Sequence, residues 1–193
     1  MTLHNKQQAI LPTLLIIVGP SGSGKTTLAR RLAGELSFPL IEKDMIKETL
    51  ADTLGYPDLA ASRRLGRASM ALLFRFAGVV LAAGQSCIIE STFLPELAAA
   101  DLEAMRSRAP FEVVQLLCRV ELTVLQERLR RRMASGERHP VHMEHLRPID
   151  PEDPAWQCPP IPIDGRFIEL DMNRPEALDY EALLAELRPL VPM

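Results

Sequence analysis

Short, continuous apolar runs alternate along the chain with longer stretches in which apolar residues recur every three or four positions. The short runs predict strands buried on both faces of a parallel sheet, and the periodic stretches predict helices that cover those faces. The predicted strands are residues 14–18, 38–42, 86–91, 111–117 and 167–170. The predicted helices are residues 25–36, 45–54, 68–83, 95–108, 121–134 and 176–187. This alternation indicates an α/β fold, a three-layer α/β/α sandwich around a five-stranded, mostly parallel sheet.

The chain is predicted to form one domain, since 193 residues are enough for a single hydrophobic core. We expect residues 1–12 to be a disordered lead and residues 13–193 to be the domain. A Gly-Tyr-Pro-Asp turn signal opens residues 55–67. Between residues 135 and 165 the periodicity ends and seven prolines occur, so irregular, partly mobile structure is expected around Trp156. Together with the end of the preceding helix, about residues 128–165 are predicted to form a lid segment.

Residues 19–26 read GPSGSGKT, the P-loop pattern G-x-x-x-x-G-K-[S/T], placed between a predicted strand and a predicted helix. Gly19, Gly22 and Gly24 lack a Cβ atom, which permits positive φ and lets backbone N–H groups close around phosphate oxygens. The N-terminus of the following helix adds free N–H groups and partial positive charge. Lys25 is expected on the β- and γ-phosphates, and the Thr26 hydroxyl can ligate Mg²⁺. The predicted nucleotide-binding residues of this loop are Gly19, Ser21, Gly22, Ser23, Gly24, Lys25, Thr26 and Thr27.

In a parallel sheet, ligands bind outside the carboxyl ends of the strands, and carboxylates stand at the ends of three predicted strands: Asp44, Glu90 and Asp171. Asp44 could accept the proton of a hydroxyl that attacks the γ-phosphate, and Lys47, one turn later, could hold the acceptor or steady Asp44. The alternative is that Asp44 only caps the following helix. Glu90 suits a contact to Mg²⁺-bound water or to a substrate hydroxyl, and Thr92 adds a second polar group there. The alternative for Glu90 is an exposed glutamate at a strand end.

Arg128 and Arg132 are four residues apart and share one helix face. Beside a mobile segment they suit a lid that clamps the transferring phosphates, although most runs of charge are solvated faces. Arg138 follows in the loop as a further candidate, and His139 and His142 read as surface or hydrogen-bonding residues rather than metal ligands. After the last strand, Asn173 is a candidate for the edge of the adenine pocket. The run at 113–117 ends in a cysteine, so the aspartate with which motor and switch ATPases hold Mg²⁺ is absent there.

The net charge of −3 and the pI of about 5.8 provide no overall attraction to nucleic acid or to an anionic membrane. The three cysteines are odd in number and widely spaced, which disfavours a disulfide framework or a zinc site and favours the reducing cytoplasm. The N-terminus shows no signal-peptide pattern, and no apolar run looks long enough to span a bilayer.

The order of these parts resembles the small P-loop kinases, within the broad class of AAA-type ATP-binding domains. Besides the P-loop, the resemblance rests on short sequence pieces: Lys43-Asp44, IIESTF at 88–93, ERLRRR at 127–132, RHP at 138–140 and Leu170-Asp171. This group includes chloramphenicol phosphotransferase, the zeta-toxin kinases and the kinase domain of polynucleotide kinase. The resemblance implies a P-loop NTPase fold, Asp44 as base, and Arg128 and Arg132 on the phosphates. Lys47 departs from the polynucleotide-kinase pattern, which has an arginine three residues after the aspartate, and a lysine cannot bind a phosphate bidentately.

The sequence therefore predicts an ATP- and Mg²⁺-dependent phosphotransferase that acts on a hydroxyl group of a small molecule. The resemblance suggests an antibiotic, a sugar nucleotide or a nucleoside as acceptor. One alternative is a polynucleotide 5′-hydroxyl kinase, which would need a basic groove. The other is a regulatory module that binds nucleotide without acceptor turnover. The identity of the acceptor, the preference for ATP or GTP and the oligomeric state stay open.

Overall fold

The computed structural model describes residues 11–136, 138–143 and 154–190. Its five strands pair in parallel throughout, in the order β2-β3-β1-β4-β5, and helices cover both faces of the sheet. The predicted α/β sandwich is therefore confirmed. The strands are β1 (Thr13–Val18), β2 (Leu40–Glu42), β3 (Cys87–Ser91), β4 (Glu112–Arg119) and β5 (Arg166–Asp171). The helices are α1 (Lys25–Leu36), α2 (Lys43–Leu54), α3 (Leu59–Ala82), α4 (Pro95–Arg106), α5 (Leu122–Ser135), α6 (Pro154–Gln157) and α7 (Tyr180–Leu187).

Strand β1 shows why the apolar runs are continuous. Successive side chains of a strand point to opposite faces, so Leu14 and Ile16 pack into one core cluster and Leu15 and Ile17 into another. The first cluster lies between the sheet and helices α3 and α4, and the second lies between the sheet and helices α1 and α7. Because both faces are buried, residues 14–18 are all apolar, and the one polar residue of the strand is Thr13 at its start.

Helix α3 is longer than the sequence predicts. It begins at Leu59 rather than at residue 68, because the Asp58 side chain accepts a hydrogen bond from the Ala61 backbone N–H at 2.7 Å and caps the helix there. The turn after α2 therefore covers only residues 55–58, and Arg63 and Arg67 lie on the helix. The prediction missed this first part because polar residues interrupt its apolar period.

By length and composition alone, the 24-residue helix α3 could cross a membrane, so the expectation that no segment is long enough was too strict. The core helix of a globular protein passes the same test, and one such helix is a weak sign of a membrane span. Here Leu73, Phe74 and Ala77 are buried in the core cluster.

Two other helices begin at unexpected residues. Helix α2 starts at Lys43 with Glu42 in the N-cap position, so Asp44 lies inside the first turn and is not the cap. Helix α7 starts at Tyr180 after a 3-10 turn at Pro175–Ala177, and the Asp179 side chain accepts from the Ala182 N–H.

The proline-rich region falls only partly within the described residues. It contains a 3-10 turn at Pro140–His142 and the short helix α6, which includes Trp156, followed by residues 158–165 without regular secondary structure. Residues 137 and 144–153 lie outside the described residues, as do residues 1–10 of the predicted lead.

Candidate active site

The P-loop follows β1, the central strand, whose neighbours are β3 and β4. Gly22 and Gly24 have φ values of +86° and +87°, in the region that glycine adopts without strain. Gly19 does not, so the expectation of positive φ is wrong there. A Cβ atom on Gly19 would lie 2.7 Å from Ser23 Oγ and 3.1 Å from the Cys118 carbonyl oxygen, so close packing is what requires a glycine at this position.

Glu90 joins two residues of the P-loop. One oxygen of its carboxylate lies 3.4 Å from Lys25 Nζ, and the other accepts a hydrogen bond from the Thr26 hydroxyl at 3.0 Å. Glu90 is only 4% exposed, so it is not an exposed strand-end glutamate. Lys25 Nζ also donates to the Pro20 carbonyl oxygen at 3.4 Å. The cation and the hydroxyl expected at the nucleotide are thus both oriented by this carboxylate.

A cavity of about 260 Å³, which we call the phosphate cavity, lies against the P-loop. Two of the predicted arginines line it and reach the loop from α5. Arg128 donates to the Gly22 carbonyl oxygen at 3.2 Å, and Arg132 donates to Ser21 Oγ at 2.7 Å. The lining residues are Ser21, Gly22, Gly24, Lys25, Thr26, Thr27, Asp44, Arg128, Arg132 and Arg138.

The other two arginines of α5 behave differently. Arg130 and Arg131 are largely exposed and both pair with the carboxylate of Glu127, at 2.7 and 2.5 Å. One helix therefore carries two kinds of arginine: Arg128 and Arg132 face the P-loop, and Arg130 and Arg131 form the solvated face that the alternative reading expected.

Asp44 lies between two cations. Arg138 donates to one of its carboxylate oxygens at 2.6 Å, and Lys43 donates to the other at 2.9 Å. Burial by itself would raise the pKa of Asp44, but the positive charges of Lys43, Arg138 and Lys25 outweigh burial and hold the pKa well below its usual value. Asp44 is therefore ionised at neutral pH, as an acceptor of protons must be.

His142 is a site residue that the sequence assigned either to the surface or to hydrogen bonding. It is 8% exposed, and its Nε2 lies 2.7 Å from a Glu48 carboxylate oxygen, so the hydrogen-bonding alternative is the one found. Its Nδ1 lies 3.9 Å from Asp44. Burial lowers the pKa of His142 to about 3, which keeps the ring neutral. Asp44 and Glu48 are four residues apart on α2, and this spacing was the signal in the sequence that their carboxylates share a face.

Lys47 connects three elements. Its Nζ donates to Ser62 Oγ on α3 at 2.9 Å and to the Val141 carbonyl oxygen at 3.2 Å, and the Ser62 hydroxyl donates to the same oxygen at 2.6 Å. Lys47 is 7% exposed. The residue thus holds α2 and α3 to the turn at Pro140–His142, while it also lines the two cavities described next.

Two further cavities continue from the phosphate cavity. The middle cavity, of about 250 Å³, shares Ser21, Lys25, Asp44 and Arg138 with it. The outer cavity, of about 580 Å³, shares Lys43, Lys47, Thr92, Leu94 and His142 with the middle cavity. The three cavities therefore adjoin one another in a row, with Asp44 shared by the first two and Glu90 lining the middle one.

The remaining predicted residues lie beside this row. Thr92 donates its hydroxyl to the Gly19 carbonyl oxygen at 2.9 Å, so it fixes the start of the P-loop as well as lining two cavities. Asn173 lines a separate cavity of about 420 Å³ after β5 rather than the phosphate cavity, and its side chain accepts from the Glu121 N–H at 2.8 Å. Arg128 donates to the Asn173 carbonyl oxygen at 3.0 Å and thereby connects that cavity to the P-loop.

The residues at the P-loop fit a magnesium ion. The Thr26 hydroxyl and the Glu90 carboxylate are hard oxygen donors that already meet at 3.0 Å. Within the described residues no cluster of three histidine, cysteine or acidic side chains could hold a metal by itself. That is consistent with Mg²⁺, which is commonly bound by one or two protein oxygens together with substrate phosphates.

Comparison with known proteins identifies the family of the chain and its fold. The sequence matches the AAA domain family over residues 14–149. The structure resembles that of a presumed kinase from Chloroflexus aurantiacus j-10-fl, with a TM-score of 0.83 and 34% identity, covering 94% of this chain and 99% of that one.

Two curated relatives match shorter stretches. A shikimate kinase from Corynebacterium diphtheriae is 46% identical over 37 residues, 19% of this chain and 21% of that kinase. The ATPase subunit HslU of an ATP-dependent protease from Enterococcus faecalis is 40% identical over 52 residues, 27% of this chain and 11% of that subunit. The chain thus spans about a fifth or less of the length of these relatives. From the family match and the nearly full-length structural likeness together, the chain belongs to the AAA domain family and has the fold of the small P-loop kinases.

Proposed function

We propose that the protein transfers the γ-phosphoryl group of ATP to a hydroxyl group of a small molecule. The observation that carries this proposal is the position of Asp44, whose carboxylate lies where the phosphate cavity meets the middle cavity. A nucleotide bound at the P-loop would end its phosphate chain there. An acceptor that enters through the outer and middle cavities would bring its hydroxyl to the same place. Hydrolysing switches do not need a cavity for an acceptor.

The nucleotide side of the reaction is electrostatic. Backbone N–H groups of the P-loop and Lys25 would bind the phosphates, and Arg128, Arg132 and Arg138 would neutralise the charge that spreads over the transferred group. The cavity lined by Asn173 would take the base, since Arg128 contacts both that segment and the P-loop. When bound, Mg²⁺ would be held by Thr26 and Glu90 and would neutralise charge on the phosphates.

On the acceptor side, the hydroxyl oxygen attacks the γ-phosphorus and its proton passes to the Asp44 carboxylate. The bond between the γ-phosphorus and the bridging oxygen of the β-phosphate breaks, which leaves ADP and a phosphate ester. Arg138 and Lys43 make Asp44 a weak base while they pair with it. Phosphates in the adjoining cavity offer Arg138 a second anion, and sharing its charge raises the pKa of Asp44 as the substrate arrives.

We also propose a cytoplasmic location, which the cysteines support. Cys87, Cys118 and Cys158 are buried and form no disulfide, and burial raises the pKa of the first two thiols to about 12. Such thiols are unreactive, and they suit the reducing cytoplasm in which we place the protein.

The test is ADP release from Mg-ATP with a panel of hydroxyl-bearing acceptors, including a 5′-hydroxyl oligonucleotide. We expect one class of acceptor to stimulate release and Asp44→Asn to lose that stimulation by about 10²–10⁴-fold while ATP binding is kept. Asp52→Asn is the matched control, because Asp52 lies on the same helix, pairs with His139 and is absent from the three cavities.

Other outcomes would replace the proposal. Stimulation by the oligonucleotide alone, weakened by salt, would favour the polynucleotide kinase. Tight nucleotide binding with no stimulated release, and equal behaviour of the wild type and Asp44→Asn, would favour the regulatory module.

A further inference from the structure

The outer cavity differs in chemistry from the rest of the row. Its volume of about 580 Å³ is more than twice that of the middle cavity or of the phosphate cavity. Pockets for drug-sized organic molecules occupy roughly 300–1,000 Å³. The cavity therefore has room for an acceptor with a substantial body beyond the hydroxyl that reaches Asp44.

Apolar side chains form most of its wall. Phe74 and Phe93 pack against each other at its base, with ring centroids 6.0 Å apart. At the rim, Leu94 and Leu97 are 54% and 65% exposed, although large apolar side chains on a compact domain are usually covered. Leu59 and Met70 complete the apolar wall. A wall of this kind favours an apolar or aromatic ligand and offers few partners to the many hydroxyls of a free sugar.

The polar groups of the cavity carry an excess of positive charge. Arg63 and Arg67 are one helical turn apart on α3, both are exposed, and neither makes a hydrogen bond or ion pair within the described part of the chain. Lys43 and Lys47 of α2 also line the cavity, and Asp101 is the one acidic residue among the described lining residues. His142, neutral at pH 7, adds no charge. The balance favours an anionic group on the ligand, placed at the pair of arginines.

We propose that the acceptor is an amphiphilic organic anion, with an apolar or aromatic body in the outer cavity, an acidic group at Arg63 and Arg67, and its hydroxyl directed to Asp44. The inference rests on the proposed function, because only that function makes the ligand a phosphoryl acceptor. The chemical class of the ligand can still be tested by binding alone, without turnover. It separates the acceptor from free sugars and unmodified nucleosides, which lack the apolar body, the acidic group or both.

Gly66 provides the first variant because it lines the cavity between the two arginines. The nearest atom to a Cβ added there is Lys47 Cε at 3.9 Å, an ordinary contact, so Gly66→Ala fits. Gly66→Trp places a large ring in the cavity. The probe is anilinonaphthalene sulfonate, an aromatic anion whose fluorescence rises in apolar sites. We expect saturable binding at one site in the wild type and in Gly66→Ala, and at least about tenfold weaker binding in Gly66→Trp.

A second variant does not depend on how the helix tolerates tryptophan. Leu97→Glu places a negative charge at an exposed rim residue. It should weaken the binding of the anionic probe through like-charge repulsion. Binding of a fluorescent ATP analogue, unchanged in every variant, reports that the fold is intact.

The arginines are tested with a matched pair of probes. N-phenyl-naphthylamine has the same aromatic body as the sulfonate but no charge. In the double variant Arg63→Gln/Arg67→Gln, we expect the sulfonate to bind roughly five- to tenfold more weakly and the neutral amine to bind as before. Arg64→Gln is the control, since Arg64 lies between them in sequence but does not line the cavity.

Any of three results would overturn the inference. They are no saturable binding of the sulfonate to the wild type, binding to Gly66→Trp as tight as to the wild type, or an equal loss of affinity for both probes in the double arginine variant. If these occur while Asp44→Asn abolishes acceptor-stimulated ADP release, the ligand class is wrong and the phosphotransferase stands. If the probes behave as expected while Asp44→Asn matches the wild type in turnover, the ligand class stands and the proposed function falls.

Discussion

The phosphate cavity and the outer cavity lie at the same edge of the sheet, but different kinds of chain segment line them. The phosphate cavity is lined by six residues of the stretch 21–27, by Arg128 and Arg132, which hydrogen-bond to that loop, and by Asp44 with its partner Arg138. The outer cavity is formed by side chains of α2, α3 and α4 that are far apart in sequence, and its arginines have no partner in the described part of the chain. A site for an invariant ligand, such as the phosphates of a nucleotide, can be encoded by a local sequence motif. A site for a variable ligand is assembled by packing, and its chemistry can change without touching the motif.

The largest effect should come from the local motif. Lys25→Met removes the cation from the phosphate cavity and leaves the buried Glu90 carboxylate without its ion pair. We expect kcat/KM for ADP release to fall by roughly 10²–10³-fold or more, as when a preorganised donor is lost from a transition state. Arg31→Gln is the control, because Arg31 lies on the same helix with its guanidinium over the Tyr180 ring. A loss below tenfold would contradict the role of Lys25.

A smaller effect should separate the two kinds of arginine on α5. Arg132→Gln removes a donor aimed at Ser21 in the phosphate cavity. We expect kcat to fall by about 10- to 100-fold, which corresponds to the free energy of one hydrogen bond to a charged group. Arg131→Gln removes only an exposed pair with Glu127 and should change kcat less than about twofold. Steady-state kinetics on both variants checks the comparison, and equal losses would show that the helix acts as a general basic surface.

A third change should affect only the acceptor side. Ser62→Ala removes one partner of the buried Lys47 and loosens the connection between α2, α3 and Val141. We expect a loss of about 1–3 kcal/mol in the free energy of unfolding, and a KM for acceptor that rises several-fold while the KM for ATP stays constant. Ser69→Ala is the control: its hydroxyl is also buried on α3 but bonds only the Leu65 carbonyl oxygen of its own helix. A rise in both KM values would show that the two regions are not separable.

The smallest effect on activity is expected from the last change, which alters the dependence of folding stability on pH below neutrality. His142 is surrounded by Asp44, Glu48, Lys43, Lys47 and Arg138, and its pKa is lowered to about 3 in the folded protein. The unfolded chain therefore binds one more proton between about pH 6.5 and pH 3, so folding stability contributed by the neutral ring is lost as the pH falls through this range. We expect the free energy of unfolding to rise with pH between 4 and 6 by up to about 1.4 kcal/mol per unit from this residue.

Denaturant unfolding at pH 4, 5, 6 and 7 measures that slope. In His142→Gln the rise should be smaller by this amount, whereas His139→Gln, at a residue paired with the exposed Asp52, should keep the slope of the wild type. Asp44 adds to the same trend at lower pH, because its depressed pKa contributes stability that is lost as the pH falls below the value of an unfolded aspartate, about 3.9. Identical slopes in the wild type and His142→Gln would contradict the buried neutral ring.

Much of the fold was predictable, because five apolar runs and a motif report local constraints. The start of α3 was not, since Asp58 stops the turn through a single side-chain hydrogen bond that periodicity does not show. Gly19 was placed in the loop for the wrong reason, because its close neighbour, the Cys118 carbonyl oxygen, lies on another strand. The burial of His142 and the partners of Lys47 depend on the turn at Pro140–His142 packing against α2 and α3, across about 80–95 positions of sequence.

The sequence by itself determined the phosphate-binding loop, the parallel sheet and the helix face that carries Arg128 and Arg132. These depend on neighbours within a few residues, where backbone conformation, side-chain period and helix geometry act directly. Only the tertiary structure decided that Asp44 sits between Arg138 and Lys43, that Glu90 holds Lys25 and Thr26, and that a largely apolar cavity adjoins them, with two arginines that have no side-chain partner among the described residues. Those arrangements exist because parallel pairing brings the ends of β1, β2 and β3 to one edge, and no local pattern encodes which side chains meet there.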